Sequence, residues 1–169
     1  MDMQFGVHVA NCYRLKRKVE MYQWFERKET QVVNGREQTI ITYDKGWFEY
    51  PIDSTKFAKP ENVGNPSQPW PYKSKTYEAK NVALGMYRLN EDQISRLGDY
   101  EEVLQWRNDG SCIVQNTWQT MNEAKFKPFS LRGTYFYSSV KQKASAETHV
   151  GQFRVQFSYH SCGPATVIA

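Results

Sequence analysis

The dipeptide Asn34-Gly35 stands between two long runs of alternating polarity, residues 19–33 and 36–50. Asn and Gly tolerate the positive φ that both central positions of a type I′ turn demand, so a two-residue hairpin loop is predicted. That turn dictates the register: Tyr22 faces Trp47, Met21 faces Phe48, Glu26 faces Tyr43 and Lys28 faces Ile41. Aromatic pairs fall at the open end, and charged and Thr pairs fall near the turn. Each such pair contributes about 0.2–1 kcal/mol. An isolated two-stranded ribbon is marginal in water, so the base of the hairpin is expected to enter a core while its tip projects into solvent.

The rest of the chain supports a β-rich reading. Five Trp, eleven Tyr and nine Phe make 15% of the 169 residues aromatic, and aromatic side chains favour strands. Residues 52–75 carry Pro60, Pro66, Pro69, Pro71 and Gly64, which excludes a central strand or long helix. An ordered loop pinned by Trp70 is expected there, since Trp70 and Tyr72 would otherwise lie in water. A strand over 80–87 with a bulge or bend at Gly85 follows, then a short helix. Asn90 is its cap, Gln93 completes a capping box, Ile94 and Leu97 form its apolar side, and Gly98 ends it. A second hairpin is expected around Asn108-Asp109-Gly110, with strands over 134–140, 151–159 and 165–169. The predicted class is α+β, mainly antiparallel β with a long hairpin and one or two short helices.

Charge and cysteines exclude several functions. The net charge of +4 comes from 22 cations and 18 anions mixed along the chain. A nucleic-acid binder gathers its cations on one face. Even the densest run, residues 14–18, leads into a strand pattern and reads as solvated surface, so no nucleic acid is expected. Cys12, Cys112 and Cys162 are widely spaced with no CxxC, which rules out a zinc ribbon or thioredoxin-type motif. They read as partly buried small hydrophobes; in an oxidising compartment one disulfide is possible, with the pair left open. No run approaches the roughly 20 apolar residues of a membrane span. Met1-Asp2-Met3-Gln4 shows no signal peptide, and the apolar run at 165–169 reads as the point where a longer chain has been cut.

Catalytic patterns are missing. There is no GxSxG, no HExxH, no DxDxDG loop and no glycine-rich phosphate loop, and His160 and Cys162 sit before Gly163-Pro164 in what reads as a surface turn. No catalytic residue, metal or cofactor is assigned. One pairing is odd. In the hairpin register Glu20 lies opposite Glu49, beside Tyr22 and Trp24, and two facing carboxylates repel. Either the register shifts near the base, or a cation such as Arg17 or Arg154 lies between them in a buried ion pair. A shared-proton acid pair is the sharper alternative.

Four segments in order carry a resemblance. Residues 15–24, Leu-Lys-Arg-Lys-Val-Glu-Met-Tyr-Gln-Trp, resemble the LxRxVEMYQW segment of the LUMA (transmembrane protein 43) family, followed there by a Tyr and Trp as Tyr43 and Trp47 follow here. Residues 83–89 with Ile94 and Leu97 are similar to its GxFxL…I…L segment. Residues 131–137 resemble RRGDFFY, with Thr134 where the family has Asp, and residues 151–159 and 164–169 resemble GDLRVSFSY…P…VTVIA. The loop over 52–75 matches no pattern of the family.

The resemblance implies one soluble domain, residues 1–169, belonging to a larger multi-pass membrane protein. In the family this domain lies on the luminal side of the endoplasmic reticulum and inner nuclear membrane; a bacterial relative would place it outside the cytoplasmic membrane. It further implies a membrane-organising scaffold that self-associates and engages nuclear-envelope proteins such as emerin and lamins. The expected function is therefore a non-enzymatic interaction module. Its structural or interaction candidates are Arg17, Glu20, Tyr22, Trp24, Tyr43, Trp47, Trp70 and Arg154. Two rivals remain: a single-stranded nucleic-acid binder, from aromatics interleaved with Lys and Arg, and a hydrolase using carboxylates such as Glu20 and Glu49.

Overall fold

The computed structural model describes residues 2, 5, 7–9, 12–60, 63–67, 69–98, 101–104, 119–120, 129–138 and 148–162. In chain order these hold β1 (His8–Val9), β2 (Cys12–Val33), β3 (Arg36–Phe48), β4 (Lys75–Glu78), β5 (Ala83–Leu84), β6 (Tyr87–Arg88), α1 (Glu91–Ser95), β7 (Glu101–Val103), β8 (Gln119–Thr120), β9 (Phe129–Arg132), β10 (Tyr135–Ser138) and β11 (Phe153–Ser161). The architecture is mainly antiparallel β with very little helix. Among the described residues the α part of the expected α+β class comes down to the five residues of α1 and one 3-10 turn at Ser54–Lys56. Strands hydrogen-bond in the order β3-β2-β11-β10-β9, with β4 also on β2 and β7 also on β11. The second hairpin expected around Asn108-Asp109-Gly110, the strand over 165–169 and Cys112 lie outside the described residues.

Two compact units divide the chain, and β2 and β11 each supply residues to both. The first comprises Met1–Lys18, Ser74–Ser139 and Val155–Ala169. Its core gathers Val7, Leu15, Leu104, Val155, Phe157 and Tyr159, all essentially inaccessible to solvent. Burying one such side chain contributes about 1.5–3 kcal/mol. The basic run in β2 departs from the solvated surface expected of it. Arg17 is buried with its Nη1 2.7 Å from Asp2 Oδ2, and buried Arg14 donates at 3.2 Å to the carbonyls of Ile94 and Ser95. Strand alternation turns Arg17 inward, where Asp2 compensates the charge. Arg14 adds a charged donor to carbonyls at the end of α1, where that of Ile94 also accepts the Leu97 amide.

Three local expectations are corrected in this unit. The strand over 80–87 is instead β4, which pairs with residues 14–17 of β2, followed by the tight β5–β6 hairpin. Gly85 has φ 61°, so it forms a turn rather than a bend within one strand. The helix keeps its capping box at Asn90 and Gln93 but ends at Arg96, before Gly98. His160 belongs to β11, buried with its ring 5.5 Å from that of Tyr13, so no turn begins there. Cys162, just beyond the strand, is exposed, whereas Cys12 is partly buried as expected.

The second unit comprises Val19–Lys73 and Val140–Arg154. Asn34 and Gly35 have φ of 52° and 75°, and the β2–β3 ladder pairs Tyr22 with Trp47, Met21 with Phe48, Glu26 with Tyr43 and Lys28 with Ile41. The register expected from the turn is the register found. The base enters a core of Val19, Met21, Phe57, Val63, Trp70 and Phe153. The loop over 52–75 is pinned as expected: Trp70 is buried and stacks edge-on against Phe153 at 5.4 Å. Gln23, 1% exposed, donates to the carbonyl of Tyr50 and accepts from the amide of Ile52, so a buried side-chain amide fixes where the chain leaves the hairpin.

Candidate interaction site

The face of the hairpin bearing Tyr22, Trp24, Tyr43 and Trp47 carries a ladder of rings and charges. Because side chains alternate along each strand, the ladder pairs Tyr22–Trp47, Trp24–Lys45, Glu26–Tyr43 and Lys28–Ile41 project to one side. The Tyr22 and Trp47 rings lie 5.2 Å apart. Above Trp47, at 4.4 Å, lies the Arg154 guanidinium, and Lys45 Nζ sits 4.5 Å over Trp24. Both are cation–π distances, and neither cation is left as a bare charge.

Glu20 resolves the facing-carboxylate problem. The β2–β3 ladder ends at Met21–Phe48, one pair short of Glu20 and Glu49. Arg154 Nε then donates to Glu20 Oε1 at 3.0 Å, both side chains being mostly buried. One guanidinium thereby neutralises the carboxylate and covers the indole. Arg17 is elsewhere, paired with Asp2 in the first unit.

Further along the ladder, Tyr43 Oη donates to Glu26 Oε2 at 2.9 Å, and the same oxygen accepts the Ala58 amide at 2.7 Å. Lys59 N donates to Tyr43 Oη, and Phe57 packs on the Tyr43 ring at 5.4 Å. The Ala58 amide, with smaller help from Tyr43 and Lys28, holds the Glu26 carboxyl below the usual glutamate range. So residues 57–59 are fastened to the ribbon where it leaves the core.

Two features hold the outer side of β2. Gly151, at φ 94°, forms a bulge opposite Tyr22: its amide donates to the Tyr22 carbonyl, and the Tyr22 amide donates to Gln152. The positive φ of Gly151 favours glycine, and a Cβ there would also meet Pro66 Cγ at a tight 3.2 Å. One step on, Asn65 takes over. Its Oδ1 accepts the Trp24 amide at 2.7 Å, and its Nδ2 donates to the Trp24 carbonyl at 2.9 Å. A side-chain amide thus stands in for a neighbouring strand.

Beyond Glu26 and Tyr43 no described residue outside the hairpin accompanies the ribbon. Residues 27–40 are exposed without interruption, Val32 to 70%. A cavity of about 420 Å³ opens beside Ile52, Asn65, Pro66, Pro69 and Trp70. Its polar lining is engaged in the loop itself: Asp53 accepts from Thr55, and Ser54 Oγ accepts the Asn65 amide. Among the described residues, no group of His, Cys, Asp and Glu side chains is placed to hold a metal.

Of the eight expected site residues, six converge on the ladder: Glu20, Tyr22, Trp24, Tyr43, Trp47 and Arg154. Trp70 anchors the loop behind it, and Arg17 serves the other unit. The sequence reading missed Lys45, Asn65, Phe57 and Asp2. Lys45 was available from the hairpin register, which places it opposite Trp24. Nothing local marked Asn65 or Asp2, because their partners lie 41 and 15 positions away.

Comparison with known proteins gives this geometry a family. The model of the family "Transmembrane protein 43" matches residues 21–169. The chain is 28% identical over 178 residues to transmembrane protein 43 of Pongo abelii and 26% identical to that of Homo sapiens, covering 99% of this chain in each case. A Drosophila melanogaster homolog is 26% identical over 96 residues, 53% of this chain and 25% of its own length. The chain spans about 40% of the length of the vertebrate relatives. No solved structure matches it, and among the described residues no helix is long and apolar enough to cross a membrane. With its family model matched over residues 21–169, the chain belongs to the transmembrane protein 43 family of membrane proteins.

Proposed function

We propose that residues 1–169 form a non-enzymatic, extramembranous interaction module of a membrane scaffold. The module lies on the luminal side of the endoplasmic reticulum and inner nuclear membrane, or outside the cytoplasmic membrane in a prokaryote. It binds copies of itself and other membrane or nuclear-envelope proteins. The observation that carries this reading is the unaccompanied ribbon over 27–40, exposed along its length yet held at its base by Arg154, Asn65 and the Ala58–Glu26 bond. A two-stranded ribbon of this length has little stability of its own, so anchoring it suits a surface presented to a partner.

Two chemistries weigh against the rivals. Glu20 is bonded to Arg154 and lies beyond the last ladder pair, which weighs against an acid pair with Glu49. The cations of the ladder already lie on Trp24 and Trp47, where a single strand would need those rings for its bases.

The test replaces residues 29–40 with a two-residue Asn-Gly turn in the full-length protein, which closes on the Lys28–Ile41 pair and leaves the ladder in register. Co-purification of differently tagged copies and of nuclear-envelope proteins is expected to fall, with unchanged membrane localisation. Undiminished co-purification overturns the reading. So does oligonucleotide binding that rises steeply at low salt, which belongs to the nucleic-acid reading instead.

A further inference from the structure

We infer that β3 is a docking edge for a second copy of this chain, the two β3 strands pairing antiparallel about a two-fold axis through Ile40. The inference rests on the interaction-module reading above and names the surface and the occupant.

The edge itself comes first. β3 ends the order of hydrogen-bonded strands, with β2 on one side and no described strand on the other. Across a two-residue turn Val33 and Arg36 exchange both main-chain bonds, so even-numbered residues of β3 bond inward to β2. The amides and carbonyls of Glu37, Thr39 and Ile41 therefore point outward, and no partner for them occurs among the described residues.

Exposed edges are normally protected by Pro, a bulge, an inward charge or a covering loop. Among the described residues none of these lies on the outer main chain of 37–43; the printed contacts of the loop over 57–59 with Tyr43 are made to its hydroxyl and ring. The stretch Gln38-Thr39-Ile40-Ile41-Thr42-Tyr43 is uncharged, rich in β-branched residues and free of Gly and Pro. Such a segment pairs with another strand if left uncovered. The opposite edge of the ribbon is different: β2 carries Glu26, Arg27, Lys28 and Glu29 there, behind the Asn65 cap.

Charge then selects the occupant and the register. Pairing about Ile40 sets Arg36 of each copy against Asp44 of the other, twice per dimer, and Gln38 against Thr42. Ile40, 37% exposed in one copy, meets its twin in a close non-hydrogen-bonded pair. Thr39 and Ile41 of the two copies exchange four main-chain bonds. Asp44 is available for this, since its contact with Arg27 is 3.7 Å long and both side chains are over half exposed. A register centred on Ile41 fails: it puts Arg36 against Gly46 and needs the Lys45 amide, already held by Asp44 Oδ1 at 2.8 Å. One centred on Thr39 puts Asp44 against Asn34 of the turn. A heterologous partner has no reason to match this self-complementary order of charges.

The test uses single cysteines at positions 38, 40 and 42 of the full-length protein in its membrane, with Cys12, Cys112 and Cys162 replaced by Ser, and mild oxidation. Disulfide-linked dimer is expected to be several-fold more abundant for Ile40→Cys than for Gln38→Cys or Thr42→Cys, because only position 40 faces itself. Equal cross-linking at the three positions, or none at 40, overturns the inference. Charge exchange supplies a second arm. Arg36→Asp or Asp44→Arg alone is expected to weaken self-association about tenfold by setting like charges opposite each other, and the double exchange restores it. A double exchange no better than the single variants also overturns it. If tagged copies still co-purify while both arms fail, the docking edge is wrong and the module reading stands; if co-purification with every partner vanishes only when the base is unfolded, the module reading itself fails.

Discussion

One hairpin contains two regions of opposite character. Its base, residues 19–26 with 43–48, is held by Arg154, Asn65, Gln23 and the Trp70–Phe153 stack. Its tip, residues 27–40, shares the same turn and ladder but touches water throughout. Both are β-sheet, yet only the base is paired, packed and polar-satisfied together. The difference teaches that secondary structure and stability are separate quantities along a strand. Main-chain ladders alone contribute little net free energy, and side-chain burial decides which part resists opening.

The contrast can be broken most severely at Trp70. Trp70→Ala removes the ring packed on Phe153 and is expected to cost about 3–4 kcal/mol in denaturant unfolding. Arg154→Leu comes next: Glu20 would remain mostly buried without its cation, a loss of about 2 kcal/mol. Recovery of much of that loss by Glu20→Gln in the same chain would identify the stranded carboxylate as the cause.

Asn65→Ala sharpens the boundary itself. The loss of its two bonds to Trp24 should cost about 1–2 kcal/mol and speed hydrogen exchange at the Trp24 amide. Exchange at the already exposed tip should not change; acceleration there as well would mean base and tip open as one unit.

Acidification gives a smaller effect. The Glu26 carboxyl is held low in the folded chain, chiefly by the Ala58 amide. Its stabilising contribution is therefore present above the ordinary value of about 4.3 and is lost as pH falls through the lower folded value. The Ala58 amide resonance should move with that transition, and Glu26→Gln should abolish the movement. The smallest effect belongs to the tip, where Val32→Thr should change stability by no more than about 0.5 kcal/mol. A loss of several times that would show the tip to be packed after all.

How much of this was legible in the sequence follows from the range of each interaction. The hairpin was, because Asn34-Gly35 dictates a local register that reaches Tyr22 and Trp47 without further information. The capping box at Asn90 and Gln93 was, for the same reason. The stretch over 80–87 misled because hydrophobicity alone does not distinguish one strand from the tight turn that Gly85 makes at positive φ. The basic run misled because a guanidinium reads as solvated unless its buried partner is known, and Asp2 lies far off in sequence with nothing to announce it. At the candidate site the aromatic ladder and Arg154 were visible as a pattern. The Asn65 cap was not, since an Asn in a Pro-rich loop looks like any turn residue.

That cap has a mechanical meaning. From Trp24, the last residue of β2 held from outside by Asn65, ten residues lead to Asn34, and at about 3.3 Å per residue the turn stands roughly 30 Å away. A load applied at the turn is thus carried by a lever whose fulcrum is the Asn65 amide together with the Ala58–Glu26 bond beside it. Moving that fulcrum by two residues, without altering the turn or the core, would change the reach of the arm by about 7 Å.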